Sequence, residues 1–168
     1  VFNEDKAKLT NNAVKREMDD SSNQGGVDGS TVQAYRRAVD VLEEKAFADI
    51  QLLAIPGLRH EAVSDYAMDA MEDRFDALYI MDIEERDTLD TVVTASLDAD
   101  GNPVKINVRN TVTAFRNRSL DSSFAAAYFP DVVLTDPNTQ TNVQCPPSVA
   151  VLGAFSLNDA VRHPWYAP

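Results

Sequence analysis

Between Phe75 and Ile83 the chain carries Ala77, Leu78, Tyr79, Ile80, Met81 and Ile83 almost without interruption. A strand with one face in water alternates apolar and polar residues, so a run like this belongs to a strand covered on both sides. That requirement excludes an open antiparallel sheet with a wet face and calls for helices above and below. The neighbouring segments supply them. From Thr31 to Ala46, Val32, Tyr35, Val39 and Leu42 fall on one helical face, with Arg36, Arg37, Asp40, Glu43 and Glu44 largely elsewhere. His60 to Arg74 places Val63, Tyr66, Ala67, Ala70 and Met71 at helical spacing. Between them, Asp49 to Ile55 is a short apolar run closed by Pro56-Gly57, the pattern of a buried strand and a turn.

Helix, strand, helix, strand in that order implies crossover connections and a parallel sheet. Phe124 to Leu134 is a further apolar, aromatic and β-branched run, and Pro130 inside it should break or bulge the ladder. After an Asp136-Pro137-Asn138 turn, Asn142 to Gln144 leads into Pro146-Pro147-Ser148. Proline suits the first turn of a helix, and Ala150, Val151, Ala154 and Phe155 recur beyond it at helical spacing. The expected fold is an α/β, three-layer α-β-α domain over residues 29–168. Its mostly parallel central sheet has about four strands, near 50–55, 76–83, 124–134 and 141–144, with helices on both faces. Residues 1–28 read as a polar loop or linker, or the edge of an absent neighbouring domain, with one short helix near Lys6 to Met18. The Gly25-Gly26-Val27-Asp28-Gly29 turn is expected to deliver Ser30 as a helix N-cap, since no strand precedes it and no lysine follows to reach a phosphate.

Charge and composition narrow the chemistry. A formal net charge of −12 repels a phosphate backbone, so nucleic acid is not an expected partner. A single cysteine, Cys145, provides no disulfide framework and no metal spacing. No apolar run approaches the roughly twenty residues a bilayer needs, so membrane insertion is not expected, and the amino end does not resemble a signal peptide. One place gives an enzyme reading purchase. Asp82, Glu84, Glu85, Asp87 and Asp90 cluster at the carboxyl end of a strand, where α/β sheets bind ligands, and could hold Mg²⁺ or transfer protons. The ordinary reading is a solvated acidic loop capping the next helix through Thr88 or Asp87.

Other candidates are weaker. Asp98-Ala99-Asp100-Gly101-Asn102 opens like a calcium loop, but the twelfth residue from Asp98 is Arg109, where an EF-hand needs a glutamate. His60 and His163 sit beside turns or helix ends without a nucleophile elbow, and Ser148 reads as a helix start. No catalytic residue, metal or cofactor is therefore expected. A helix from Val104 or Lys105 to Asn117 carries Val108, Val112 and Phe115 on one side. Arg109, Arg116 and Arg118 line its exposed flank, the main basic patch of an acidic chain and a candidate contact with a neighbouring subunit.

The carboxyl-terminal third also has a family likeness. The segment S-S-F-A-A-A-Y-F-P ending at Pro130, the Asp136-Pro137 turn, P-P-S-V-A-V-L-G-A-F from Pro146, Asn158-Asp159 and P-W-Y-A-P from Pro164 follow one another in order. Together they resemble the core of contractile-tail sheath proteins of myovirus-type bacteriophages and related injection machines. The resemblance covers Asp121 to Pro168 well and extends loosely back to about Gly25, where family members often carry a similar G-G-x-D-G turn. It implies a structural subunit of the virion tail, partnered by other sheath subunits, the tail tube and the baseplate. Subunits of this family stack helically around the tube and pass from an extended to a shorter, wider lattice without hydrolysing nucleotide. By the same likeness, Val1 to Pro168 reads as a fragment whose linking arms lie elsewhere.

Overall fold

The computed structural model describes residues 4–19, 25–83, 109–163 and 165–166. Over these residues the chain is a mixed α/β fold, as its pattern requires. In order it forms α1 (Glu4–Asp19), a 3-10 turn (Gly26–Asp28), α2 (Ser30–Glu43), β1 (Leu52–Ala54), α3 (Glu61–Arg74) and β2 (Leu78–Asp82). α4 (Arg109–Asn117), β3 (Ala125–Tyr128), β4 (Val132–Thr135), β5 (Asn142–Cys145) and α5 (Pro147–Val161) follow.

β2 lies at the centre of a three-stranded parallel sheet in the order β1-β2-β3, with Tyr79 opposite both Leu53 and Ala125. Its last four residues, Tyr79 to Asp82, are all buried, which is what its unbroken apolar run predicts. Alternation sends Tyr79 and Met81 to one face and Ile80 and Asp82 to the other. On the first face Tyr79 and Met81 pack with Leu53, Val39 of α2, and Ala67, Met68, Ala70 and Met71 of α3. Phe115, Leu120 and Phe124 close the edge of this cluster. Burying a large apolar side chain contributes about 1.5–3 kcal/mol, so this face holds much of the fold. Tyr79 is so enclosed that burial pushes its hydroxyl far above the ordinary tyrosine value, keeping it neutral.

The expected fourth parallel strand is arranged differently. The run from Phe124 to Leu134 is two strands, β3 and β4, separated at Phe129-Pro130, where proline cannot donate to a ladder. β4 then pairs antiparallel with β5 in a separate two-stranded sheet, Val133 opposite Gln144. The turn between them is set by Asp136, which accepts from the Asn138 N–H at 2.8 Å and the Thr139 hydroxyl at 2.9 Å. Hairpin and body are joined by an ion pair of low exposure, Arg59 Nη2 to Asp131 Oδ1 at 2.5 Å, with Gln144 Nε2 donating to the other Asp131 oxygen at 3.3 Å.

Residues 1–28 are not uniformly loop. The short helix expected near Lys6 to Met18 is present and longer, as α1, and Val14 on it is fully buried with Val32, Leu58 and Val63. Ser30 is not the cap of α2. Gly29 holds that position and offers no side chain; the cap comes from Glu17 of α1. The Glu17 carboxylate accepts from the Thr31 hydroxyl at 2.5 Å, the Thr31 and Val32 N–H groups at 2.9 and 3.1 Å, and the Ser30 hydroxyl at 3.3 Å. A carboxylate at a helix start satisfies orphan donors and opposes the positive end of the helix dipole.

Two arginines do similar work at other helix ends. The buried Arg74 guanidinium donates to Leu42 O at 2.5 Å, Ala48 O at 2.7 Å and Asp76 Oδ1 at 2.6 Å, tying the end of α2 to α3. Arg36 reaches from α2 to Ala62 O through Nε and Nη2 at 3.0 and 2.8 Å, its guanidinium lying over the Tyr66 ring.

The Glu17 clasp sets a pH dependence. The Thr31 hydroxyl foremost holds the Glu17 carboxyl below its ordinary value, against the upward pull of desolvation, with the Thr31 and Val32 N–H groups and the Ser30 hydroxyl adding to it. A carboxyl depressed in the folded state stabilises above its unfolded value and loses that contribution as pH falls through its folded value. Glu17→Gln should therefore cost about 1 kcal/mol at pH 7. The difference from the native chain should close between about pH 5 and pH 3. Urea unfolding at stepped pH measures it, and a difference that stays constant down to pH 3 would show that ionisation has no part in the clasp.

Candidate functional site

The acidic stretch at the end of β2 begins with Asp82, and the structure turns that residue inward. It is 1% exposed. One oxygen accepts from the Ser148 N–H at 2.8 Å, and the other from the Ser148 hydroxyl at 2.7 Å and the Gly57 N–H at 3.0 Å. A buried carboxylate needs such donors, and here they come from the first turn of α5 and from the turn after β1. With both oxygens engaged in joining three chain segments, Asp82 serves the fold. Glu84, Glu85, Asp87 and Asp90, and the whole Asp98 to Asn102 turn, lie outside the described residues. Among the described residues no group of three or more His, Cys, Asp or Glu side chains is arranged to hold a metal.

The described serine, histidine and cysteine candidates each have a structural partner. The Ser148 hydroxyl is fully buried and donates to Asp82. His60 caps α3, its Nδ1 accepting from the Ala62 N–H at 3.2 Å. His163 stacks on the Trp165 ring at 4.6 Å between centroids. The Cys145 thiol points to the Val143 carbonyl at 3.9 Å.

Of the expected basic patch, Arg116 and Arg118 do not share a surface. Arg109 is the first residue of α4, and its side chain is outside the described set. Arg116 is exposed on the same helix. Arg118, one residue past the helix end, turns inward: its Nη2 pairs with Asp65 of α3 and meets the Ser64 hydroxyl at 2.8 Å, with the Met81 sulfur at 3.7 Å. Its Nε is buried without a hydrogen-bond partner among the described residues. Arg118 thus belongs to the α3–α4 packing. Helical spacing placed it on the flank, but the helix stops at Asn117, and the turn redirects it.

The surface feature left is apolar. α5 runs for fifteen residues with a single charged side chain, Asp159, yet only Pro147 and Ser148 on it are fully buried. Leu157, Val161 and, beyond the helix, Trp165 follow one another at four-residue spacing and are 66%, 65% and 80% exposed. Tyr166 lies beside them, its ring under the Arg162 guanidinium and its carbonyl accepting from Asn158 Nδ2 at 2.9 Å. Val133 and Leu134 of the β4–β5 hairpin are exposed as well. A surface helix of a globular domain normally keeps a polar face toward water. An apolar face exposed in this way is a candidate contact surface. The signal in the sequence was the near absence of charge around the whole circumference of α5; the residues picked out there, Ala150, Val151, Ala154 and Phe155, lie on its first half, and the exposed stripe lies further along.

No family model matches the chain, and neither a curated protein nor a solved structure is significantly similar to it.

Charge reversal separates the arginines. Arg118→Glu places a carboxylate against Asp65 in a part-buried pair and should destabilise the domain by about 2–4 kcal/mol. Arg116→Glu, on an exposed face, should change stability by less than about 0.5 kcal/mol. Leu157→Ser and Val161→Ser should fall in the same small range, since both side chains are already in water. Chemical denaturation of the four variants tests this ordering, and equal losses for Arg116→Glu and Arg118→Glu would contradict it.

Proposed function

We propose that this chain is core-domain material of a contractile tail sheath: a structural subunit that stacks helically around a tail tube and shortens to drive it through a host envelope, without nucleotide hydrolysis. The observation that carries the reading is the ordered series of motifs from Ser122 to Pro168. The α5 face supports it physically. A sheath subunit acts through contacts that repeat without closing, so its surface must carry unlike patches that meet on neighbouring copies. Leu157, Val161 and Trp165 offer one such apolar patch, exposed on this chain. The work of the lattice is the free-energy difference between two packings of one body, which favours a body that keeps its shape. Asp82, Arg74 and Arg36, each bonding across separate segments, suit that need.

The partners in this reading are other sheath subunits, the tail tube and the baseplate, and the location is the virion. A pyocin-like or secretion-like injection machine would use the same subunit in the same way. The metal-dependent enzyme alternative loses Asp82, whose oxygens are taken by Ser148 and Gly57.

Negative-stain electron microscopy of the protein expressed from its complete reading frame tests the proposal, and hollow, cross-striated tubes are the expected result. Calorimetry with Mg²⁺, Ca²⁺ and nucleotides should show no saturable heat. Saturable binding of any of these by a protein that forms no tubes would overturn the proposal in favour of a ligand-binding or catalytic domain.

A further inference from the structure

We propose that α1 is a strap that opens as a unit from an otherwise intact α/β body, with the Glu17 carboxylate as its catch. Among the described residues, α1 contributes no side chain to the main cluster around Tyr79, Met81 and Met71. Its ties lie elsewhere. Val14 fills a small cluster with Val32, Leu58 and Val63. Asn11 Oδ1 accepts from the Arg59 N–H at 3.3 Å. Glu17 accepts from Ser30, Thr31 and Val32 at the start of α2. Removing α1 therefore leaves the sheet and its α2 and α3 cover in place, uncovers Val32, Leu58 and Val63, and strips the cap from α2. Free energies of opening differ across a fold in this way where an element shares few core contacts with the rest.

Gly29 shows that the catch is built for close approach. Its φ of −57° is open to any residue, so backbone conformation does not require glycine there. Space does: a Cβ on Gly29 would stand 2.4 Å from Glu17 Oε2, 2.9 Å from its carboxyl carbon and 3.1 Å from its Cβ. The Glu17 side chain lies along the bare Cα, and a methyl group would push it away from the α2 amides while leaving the turn able to form. Two substitutions of unlike chemistry, one removing the charge and one blocking its seat, should then release the same element. Arg59 extends the effect, because its N–H meets Asn11 while its guanidinium holds Asp131 beside β4, and α1 also touches β5. Opening the strap thus frees one side of the hairpin.

Native-state amide exchange of the 168-residue chain, followed by NMR over a series of low urea concentrations, tests the proposal. Amides of residues 13–19, Thr31 and Val32 should exchange through an opening with a smaller urea dependence than that of Tyr79 to Asp82. Glu17→Gln and Gly29→Ala weaken a contact that both openings break, so each should accelerate both groups about fivefold. Leu53→Val, in the main cluster that α1 does not join, should accelerate Tyr79 to Asp82 and leave residues 13–19 unchanged. The proposal is overturned if both groups share one opening in the native chain, if Leu53→Val accelerates both groups equally, or if Glu17→Gln or Gly29→Ala leaves α1 unaffected or fails to fold.

Discussion

Three segments that are distant in sequence meet on one carboxylate. Asp82 ends the central strand, Gly57 turns the chain from β1 toward α3, and Ser148 starts α5. Asp82 and Ser148 are buried at that point of the fold, so the acidic oxygens and the backbone N–H groups satisfy each other. The arrangement fixes where α5 departs from the sheet and keeps the turn after β1 folded against β2.

The same device recurs at other element ends. Glu17 caps α2 from α1, Arg74 gathers the carbonyls that end α2 and follow it, and Arg36 spans from α2 to the start of α3. Each links two elements through a charged side chain; for α2 these contacts stand where a local cap would have used a serine, threonine or glycine, whereas α3 keeps its local cap in His60. A local cap stabilises one helix. A cap lent by another element stabilises a relation between elements, so the polar frame, together with the core around Tyr79, determines the shape of the body.

This choice explains what was legible in the sequence. The buried strand, the amphipathic α2 and α3 and the break at Pro130 follow from periodicity and from proline chemistry, both local properties. The partner of a strand is a long-range property, so the strand near 141–144 read as a member of the mostly parallel sheet when its true neighbour is β4. Likewise, Ser30 carried every local mark of an N-cap, and Glu17, thirteen residues earlier, took the role. Asp82 read as a surface charge because the acidic residues after it hid that it is the last residue of the buried strand, and Arg118 because spacing cannot show that the turn after α4 points it inward. At α5 the missing information is of another kind: an apolar helix announces burial, and only the structure shows that its far end has no cover within the chain's described residues.

The position of that cover has a mechanical meaning. α5 is fully buried only at Pro147 and Ser148, while its exposed stripe begins at Leu157 and continues past Val161 to Trp165. At about 1.5 Å of rise per residue, Val161 stands roughly 20 Å from Ser148. The helix is anchored at its first turn, half-buried through much of its middle and exposed at its tip. A load applied to the tip would reach the Asp82–Ser148 joint, and through it the end of the central strand rather than a loop.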